Sequence, residues 1–240
     1  MAFLFYLAFC VLVGGLAWRM VTYARTPAPL KIPTTPAPTT VPGVVFRMAR
    51  EVLLFESLFK ANLWIWGFGI LFHFGLVLVL ARHLRYFTDP VWGWVVLIQP
   101  FGIYGGMVMV AGLAGLWVRR LAVERIRYIS TPSDHLMLLL LLTIGISGLS
   151  MTFGIHPDVV GVKRFFEGWQ TFSPHPLPDS ALLVLHLMGV AVLMIIFPFS
   201  KLLHAPGVFF SPSRNQVDNP RERRHVAGWA ARFDKETPHG

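Results

Sequence analysis

The chain has a single cysteine, Cys10, among 240 residues. That excludes an internal disulfide, a haem attached covalently through C-x-x-C-H, and an iron–sulfur cluster built on four thiolates. Inside an apolar run, Cys10 itself reads as a small buried side chain. Charge is scarce as well: 14% of the residues are Asp, Glu, Lys or Arg, and the mean hydropathy is +0.59, far from the balance of a soluble domain. Acids are the scarcer sign, 12 against 21 Lys and Arg, which leaves a net charge of +9. The cations are not interleaved with base-stacking aromatics, so the excess does not read as nucleic-acid binding. Little chain remains for a soluble catalytic domain.

Charge is missing altogether from five stretches: 1–18, 61–81, 91–118, 135–155 and 180–200. A bilayer crossing takes about 20 residues, and hydrocarbon forces each such run to satisfy its own amides as a helix. The first run lacks a basic leader and a clear small-residue cleavage site, so it is expected to be a retained span. The expected architecture is an all-α integral membrane protein with five transmembrane helices. Seventeen of the 21 Lys and Arg fall between spans one and two, between three and four, or after five. The positive-inside rule then puts the N-terminus in the periplasm and the C-terminus in the cytoplasm, in the inner membrane of a bacterium or archaeon.

The organisation follows. Residues 1–25 form transmembrane helix 1, and 26–43 a Pro/Thr-rich cytoplasmic spacer that cannot be helical. Residues 44–60 mix apolar and charged positions at helical spacing, as an interfacial helix does. A core of four helices covers 61–204, and 205–240 is a cytoplasmic tail whose basic–aromatic stretch 219–236 suits partner docking. Thr131, Pro132 and Asp134 read as N-cap, first position and first-turn acid, so span four is expected to start near Pro132. Residues 156–179, with four prolines, read as an outer loop.

Histidines carry the chemistry. His73 and His83 lie ten residues apart in span two, and His186 and His204 eighteen apart around span five. Eighteen residues of continuous helix return to nearly one face, about 27 Å along. A lone histidine near a helix end is commonly a hydrogen-bonding or snorkelling residue. Four on two helices, two of them inside uncharged runs, point instead to axial ligation of two b-type haems, since intramembrane ionisable groups are functional candidates. Antiparallel spans pair His83 with His186 in the outer half and His73 with His204 in the inner half. About 15 Å of rise on one helix against 27 Å on the other leaves a mismatch, which a kink at Pro198 would absorb. His135, in the first turn of span four, is the main rival for the inner site. His156, His175, His225 and His239 sit in polar segments.

Gly67, Gly69, Gly75 and Gly189 lie near these histidines, where they would let a flat macrocycle approach or simply let helices pack. Gly102, Gly105, Gly106, Gly112 and Gly115 in span three read as packing positions. Arg82 and Arg85 bracket His83 and suit the propionates of the outer haem, or anchor the span at the headgroups.

The ten- and eighteen-residue spacings in a five-helix subunit resemble the gamma-subunit family of respiratory nitrate reductase, over about residues 60–204. ARHLRYFTDP and HAPGVFFSPSRNQVDNPRERRH further resemble the DsrM family, the cytochrome b subunits of DsrMKJOP complexes in dissimilatory sulfur metabolism. The resemblance implies a dihaem cytochrome b that exchanges electrons between membrane quinone and a cytoplasmic, DsrK-like iron–sulfur subunit. It also implies periplasmic multihaem c and iron–sulfur subunits and a second membrane subunit as partners, with no catalysis by this chain beyond quinone chemistry. Arg85 and Tyr86 are then the candidates to bond a quinone carbonyl near the outer haem. A nitrate reductase gamma subunit is the alternative, and a haem-free transporter or scaffold the alternative from another class.

Overall fold

The computed structural model describes residues 1–27 and 32–218. The tail stretch 219–236, with His225, and His239 beyond it lie outside the described residues, as do residues 28–31 of the spacer. Among the described residues regular structure is entirely helical: α1 (Ala2–Arg25), α2 (Val41–Leu54), α3 (Glu56–Ala61), α4 (Leu63–His83), α5 (Gly93–Ala122), α6 (Glu124–Ile129), α7 (Pro132–Phe153), α8 (Val159–Gln170), α9 (Ala181–Ile196) and α10 (His204–Gly207). Five of these, α1, α4, α5, α7 and α9 with their short extensions, are long and apolar enough to cross a membrane. The protein is a multi-pass membrane protein, as its charge-free runs required.

Local chemistry sets where the spans begin. Asn62 Oδ1 accepts from Ile65 N at 3.0 Å to open α4, and Ser180 Oγ accepts from Leu183 N at 3.3 Å to open α9. Both supply acceptors to amides that the helix leaves unpaired. At α7 the expected start at Pro132 is found, with Thr131 N donating to Asp134 Oδ2 at 3.0 Å. Arg120 then stands 3.5 Å from the buried Asp134 carboxylate.

The chain forms two compact units. The first comprises Met1–Val13 and Ser57–Phe197. In it α4 packs on α5, α5 on α7, and α7 on α9. Phe72, Met109, Leu113 and Leu142 fill one core, while Phe5, Ala8, Leu183, Leu187 and Ala191 join Val162, Phe165 and Phe166 in the other. The last three belong to α8, a helix inside the segment expected to be an outer loop. Asp158 caps it by accepting from Val160 N at 3.0 Å, and its apolar positions recur at helical spacing, so one face is buried. Prolines flank this helix without entering it. Beside it, Lys163 bridges Asp89 and Glu167, and its hydrogen bond to Asp89 raises the ammonium pKa above its ordinary value.

Phe165 is 2% exposed and makes edge contacts with Phe5 and Phe166. Phe165→Ala is therefore expected to cost about 3–5 kcal/mol in unfolding free energy. The exposed Val160 changed to Ala is expected to cost no more than about 0.5 kcal/mol. Denaturant titration in detergent checks both.

The second unit comprises Gly14–Glu56 and the chain from Pro198. Span five does not run as one helix to His204. α9 ends at Ile196, a 3-10 turn covers Phe197–Phe199, Ser200 is extended, and a second 3-10 turn at Lys201–Leu203 leads into α10. Pro198 cannot donate an amide to a helical carbonyl, and in place of the expected kink the α-helix gives way to 3-10 turns separated by the extended Ser200. No continuous helix therefore joins His186 to His204, and eighteen residues do not return them to one helix face.

The interfacial segment also departs from one helix. Thr40 and Pro42 start α2 early, Phe55 takes a left-handed conformation at φ 50°, and α3 follows. Arg50 Nε donates to Glu56 Oε2 at 2.6 Å across that break. α2 turns Val44 and Met48 inward. Arg47 bonds the Thr34 carbonyl and Glu51 meets Arg214, while Val41, Val45, Phe46 and Leu53 are exposed. Spacer and tail are laced together by Thr34 N to Ser213 O at 2.8 Å and Asp218 N to Pro38 O at 2.9 Å.

Candidate functional site

The structure brings His83 and His186 together. His83 is the last residue of α4, and His186 lies one turn into α9. Their ring centres are 6.3 Å apart and their planes 13° from parallel. His83 Nδ1 is 2.7 Å from the Val79 carbonyl. His186 Nδ1 is 3.0 Å from the Ile144 carbonyl and 3.0 Å from Ser147 Oγ, both on α7. A carbonyl can only accept, so each Nδ1 carries the proton and each lone pair sits on Nε2.

That is the donor chemistry of a metal-ligating histidine whose other nitrogen is held in place. Two imidazole nitrogens binding one first-row metal from opposite sides at about 2.0 Å each put the ring centres roughly 6 Å apart. The observed gap fits. Among the described residues no group of three or more His, Cys, Asp or Glu side chains could hold a metal ion. An ion between these two rings would have to bring its remaining ligands with it, as iron in a porphyrin does.

The other two candidates have the same local design. His73 Nδ1 donates to the Gly69 carbonyl at 2.8 Å within α4. His204, which opens α10 in the second unit, donates from Nδ1 to the Lys201 carbonyl at 2.9 Å. His135 differs. Its Nδ1 accepts from Trp117 Nε1 at 3.1 Å, so in the neutral ring Nε2 carries the proton and has no lone pair for a metal. This contact gives His135 a structural duty and argues against it as the rival ligand.

The arginines separate too. Arg85 donates to Tyr86 Oη at 2.6 Å and to Gln99 Oε1 at 3.1 Å, and its guanidinium lies over the Tyr86 ring. Its Nε is buried and has no hydrogen-bond partner among the described residues. Arg85, Tyr86 and Gln99 thus form one polar knot beside His83, whose ring centre is 5.9 Å from that of Tyr86. Arg82 runs its stem over Gly102, where a Cβ would come within 2.6 Å. Among the described residues its guanidinium has no hydrogen-bond or ion-pair partner.

Packing explains most of the glycines. A Cβ on Gly75 would stand 2.5 Å from the Gly105 carbonyl oxygen, and one on Gly189 2.9 Å from Ile144 Cγ1. These two serve helix contact, not macrocycle access. Gly112 likewise meets the Phe72 amide at 2.6 Å, as expected for span three. Sequence reasoning missed Gln99, Ile144, Ser147 and Gly148. Ser147 and Gln99 left a trace, as polar residues inside apolar runs; a backbone carbonyl leaves none.

Comparison with known proteins places this geometry in context. Residues 39–218 match the family model described as nitrate reductase gamma subunit. The chain is 36% identical over 269 residues to the Hdr-like menaquinol oxidoreductase cytochrome b-like subunit of Archaeoglobus fulgidus, covering 93% of this chain and 81% of that protein. It is 35% identical to the corresponding protein of Archaeoglobus profundus, with 93% and 80% covered. Against the nitrate reductase gamma chain of Bacillus subtilis it is 33% identical, over 56% of this chain and 68% of that one.

Proposed function

Because the chain belongs to the nitrate reductase gamma-subunit family, as a membrane cytochrome-b-like oxidoreductase subunit, we propose that it holds two haems b. His83 and His186 ligate one, and His73 and His204 the other. The observation that carries this reading is the His83–His186 pair, with its 6.3 Å gap and both Nδ1 atoms engaged. Haem bound there supplies a one-electron carrier within the membrane.

The chain's own residues do the rest. Carbonyls of Val79, Gly69, Ile144 and Lys201 fix the tautomer that leaves Nε2 basic. Apolar neighbours on α4, α5, α7 and α9 keep water out. Arg82, whose guanidinium has no partner among the described residues, suits a haem propionate better than Arg85, whose two terminal nitrogens are engaged. Arg85, Tyr86 and Gln99 offer donors and an acceptor to a quinone carbonyl or hydroxyl.

In our reading the subunit exchanges electrons between a quinone pool, menaquinone by analogy with the relatives' names, and a cytoplasmic DsrK-like iron–sulfur subunit. Positive-inside charge supports a periplasmic N-terminus and a tail on the side of the proposed partner. The similarity to the Hdr-like subunits spans 93% of the chain against 56% for the Bacillus nitrate reductase chain. That favours an Hdr-like oxidoreductase complex over nitrate reductase, and the DsrMKJOP-type partner is our reading from the sequence resemblance. α2, with Val44 and Met48 turned inward and Val41, Val45, Phe46 and Leu53 exposed, would lie at the membrane interface.

The test is a reduced-minus-oxidised spectrum of the purified protein with pyridine-haem quantification, followed by addition of a reduced naphthoquinone. About two haems b per chain, two components on redox titration and bleachable reduction by the quinol are expected. A folded, haem-free protein would move the assignment to a transporter or scaffold.

A further inference from the structure

The two imidazoles, with ring centres 6.3 Å apart, are not held alike. Among the described residues His83 Nδ1 bonds a carbonyl of its own helix, Val79 O at 2.7 Å. His186 ignores α9 and crosses to α7, where Ile144 O and Ser147 Oγ each lie 3.0 Å from its Nδ1. Ser147 is 3% exposed, and its Oγ donates to Ile144 O at 3.0 Å. With that proton committed, the hydroxyl faces His186 as an acceptor. Gly148 completes the cradle: a Cβ there would stand 3.3 Å from His186 Cε1, so the missing side chain lets the ring lie against α7.

We infer that Ser147 is a positioning residue that sets the reduction potential of the haem ligated by His186. The inference rests on the haem reading above. An acceptor at Nδ1–H pushes electron density into the ring and makes Nε2 a stronger donor, which favours ferric over ferrous iron. A buried hydroxyl dipole aimed at the ring acts in the same direction. Carbonyl acceptors are invariant in chemistry, whereas the Ser147 hydroxyl can be varied by sequence. It also ties the ring of α9 to α7, so the orientation of the imidazole plane follows the packing of those two helices.

The experiment is a potentiometric titration, with low-temperature EPR of the ferric haems, on the full chain carrying Ser147→Ala. The haem to watch is the one that His186→Ala removes. Its midpoint potential is expected to move upward, and its largest g-value to shift as the ring loses one restraint, while the second haem keeps both values. Unchanged potentials, or two haems moving together, would overturn the inference. Should Ser147→Ala lose that haem outright, Ser147→Cys, similar in size and a weaker acceptor, decides: a smaller upward shift supports the role and no shift overturns it. If His186→Ala leaves both haems in place, the ligation reading itself fails, and this inference goes with it. Failure of Ser147→Ala alone leaves His186 ligation standing.

Discussion

His186→Ala is expected to halve the haem content, from about two b-type haems per chain to about one. The imidazole is one of two proposed donors whose ring centres lie 6.3 Å apart, and alanine offers no atom that can ligate a metal. Its protein-side cost is modest. Ser147 Oγ keeps its bond to Ile144 O, so no polar group is stranded, and the penalty stays near that of a lost hydrogen bond and a small cavity, about 1–3 kcal/mol. A folded protein with one haem should therefore be recoverable. Pyridine-haem quantification and the redox titration read the result, with one of the two components gone. His204→Ala should remove the other component. His135→Ala should remove neither, because Trp117 already occupies its Nδ1. A His135 variant with one haem would reverse the assignment of the inner ligand.

The second large effect is steric. Gly112→Ala would put a methyl 2.6 Å from the Phe72 amide nitrogen and 2.8 Å from the Phe68 carbonyl oxygen. Those atoms are backbone of α4, so no side chain can swing aside, and the two helices must separate. Membrane helices associate through close contact, not through a hydrophobic drive that apolar lipid would not supply. Separation along α4 and α5 should cost about 3 kcal/mol or more. Gly75→Ala, 2.5 Å from the Gly105 carbonyl oxygen and 2.6 Å from Met109 N, should match it. Gly67→Ala is the control. Nothing lies within 4 Å of its Cβ, so helix propensity makes the change neutral or stabilising by up to about 1 kcal/mol. Unfolding titrations in mixed detergent compare the three, and equal stabilities would show that the α4–α5 contact tolerates a methyl.

The positions of the spans were legible because a run without charge of about twenty residues has one low-energy solution in a bilayer. The start of α7 was legible as well, since capping is local chemistry among Thr131, Pro132 and Asp134. The same locality explains the misses. α8 carries its own cap and periodicity, but four prolines around it and its polar face masked the signal. The break at Pro198 was visible as a proline and read as a bend. A single residue reveals that a hydrogen bond is lost, not whether neighbouring turns will restore the helix.

Residue order alone therefore determined that the chain is all-helical, how many times it is suited to cross a membrane, and which four histidines deserve attention. These follow from hydropathy, charge and spacing, which act along the chain. Tertiary structure decided what those histidines can do. It set His83 beside His186, bonded His135 Nδ1 to Trp117, engaged Arg85 with Tyr86 and Gln99 while the Arg82 guanidinium finds no partner among the described residues, and set Ser147 against a ring 39 residues away. Each of those outcomes depends on which helix lies beside which, and that is fixed by glycine contacts and side-chain shape across helices that no one-dimensional pattern records.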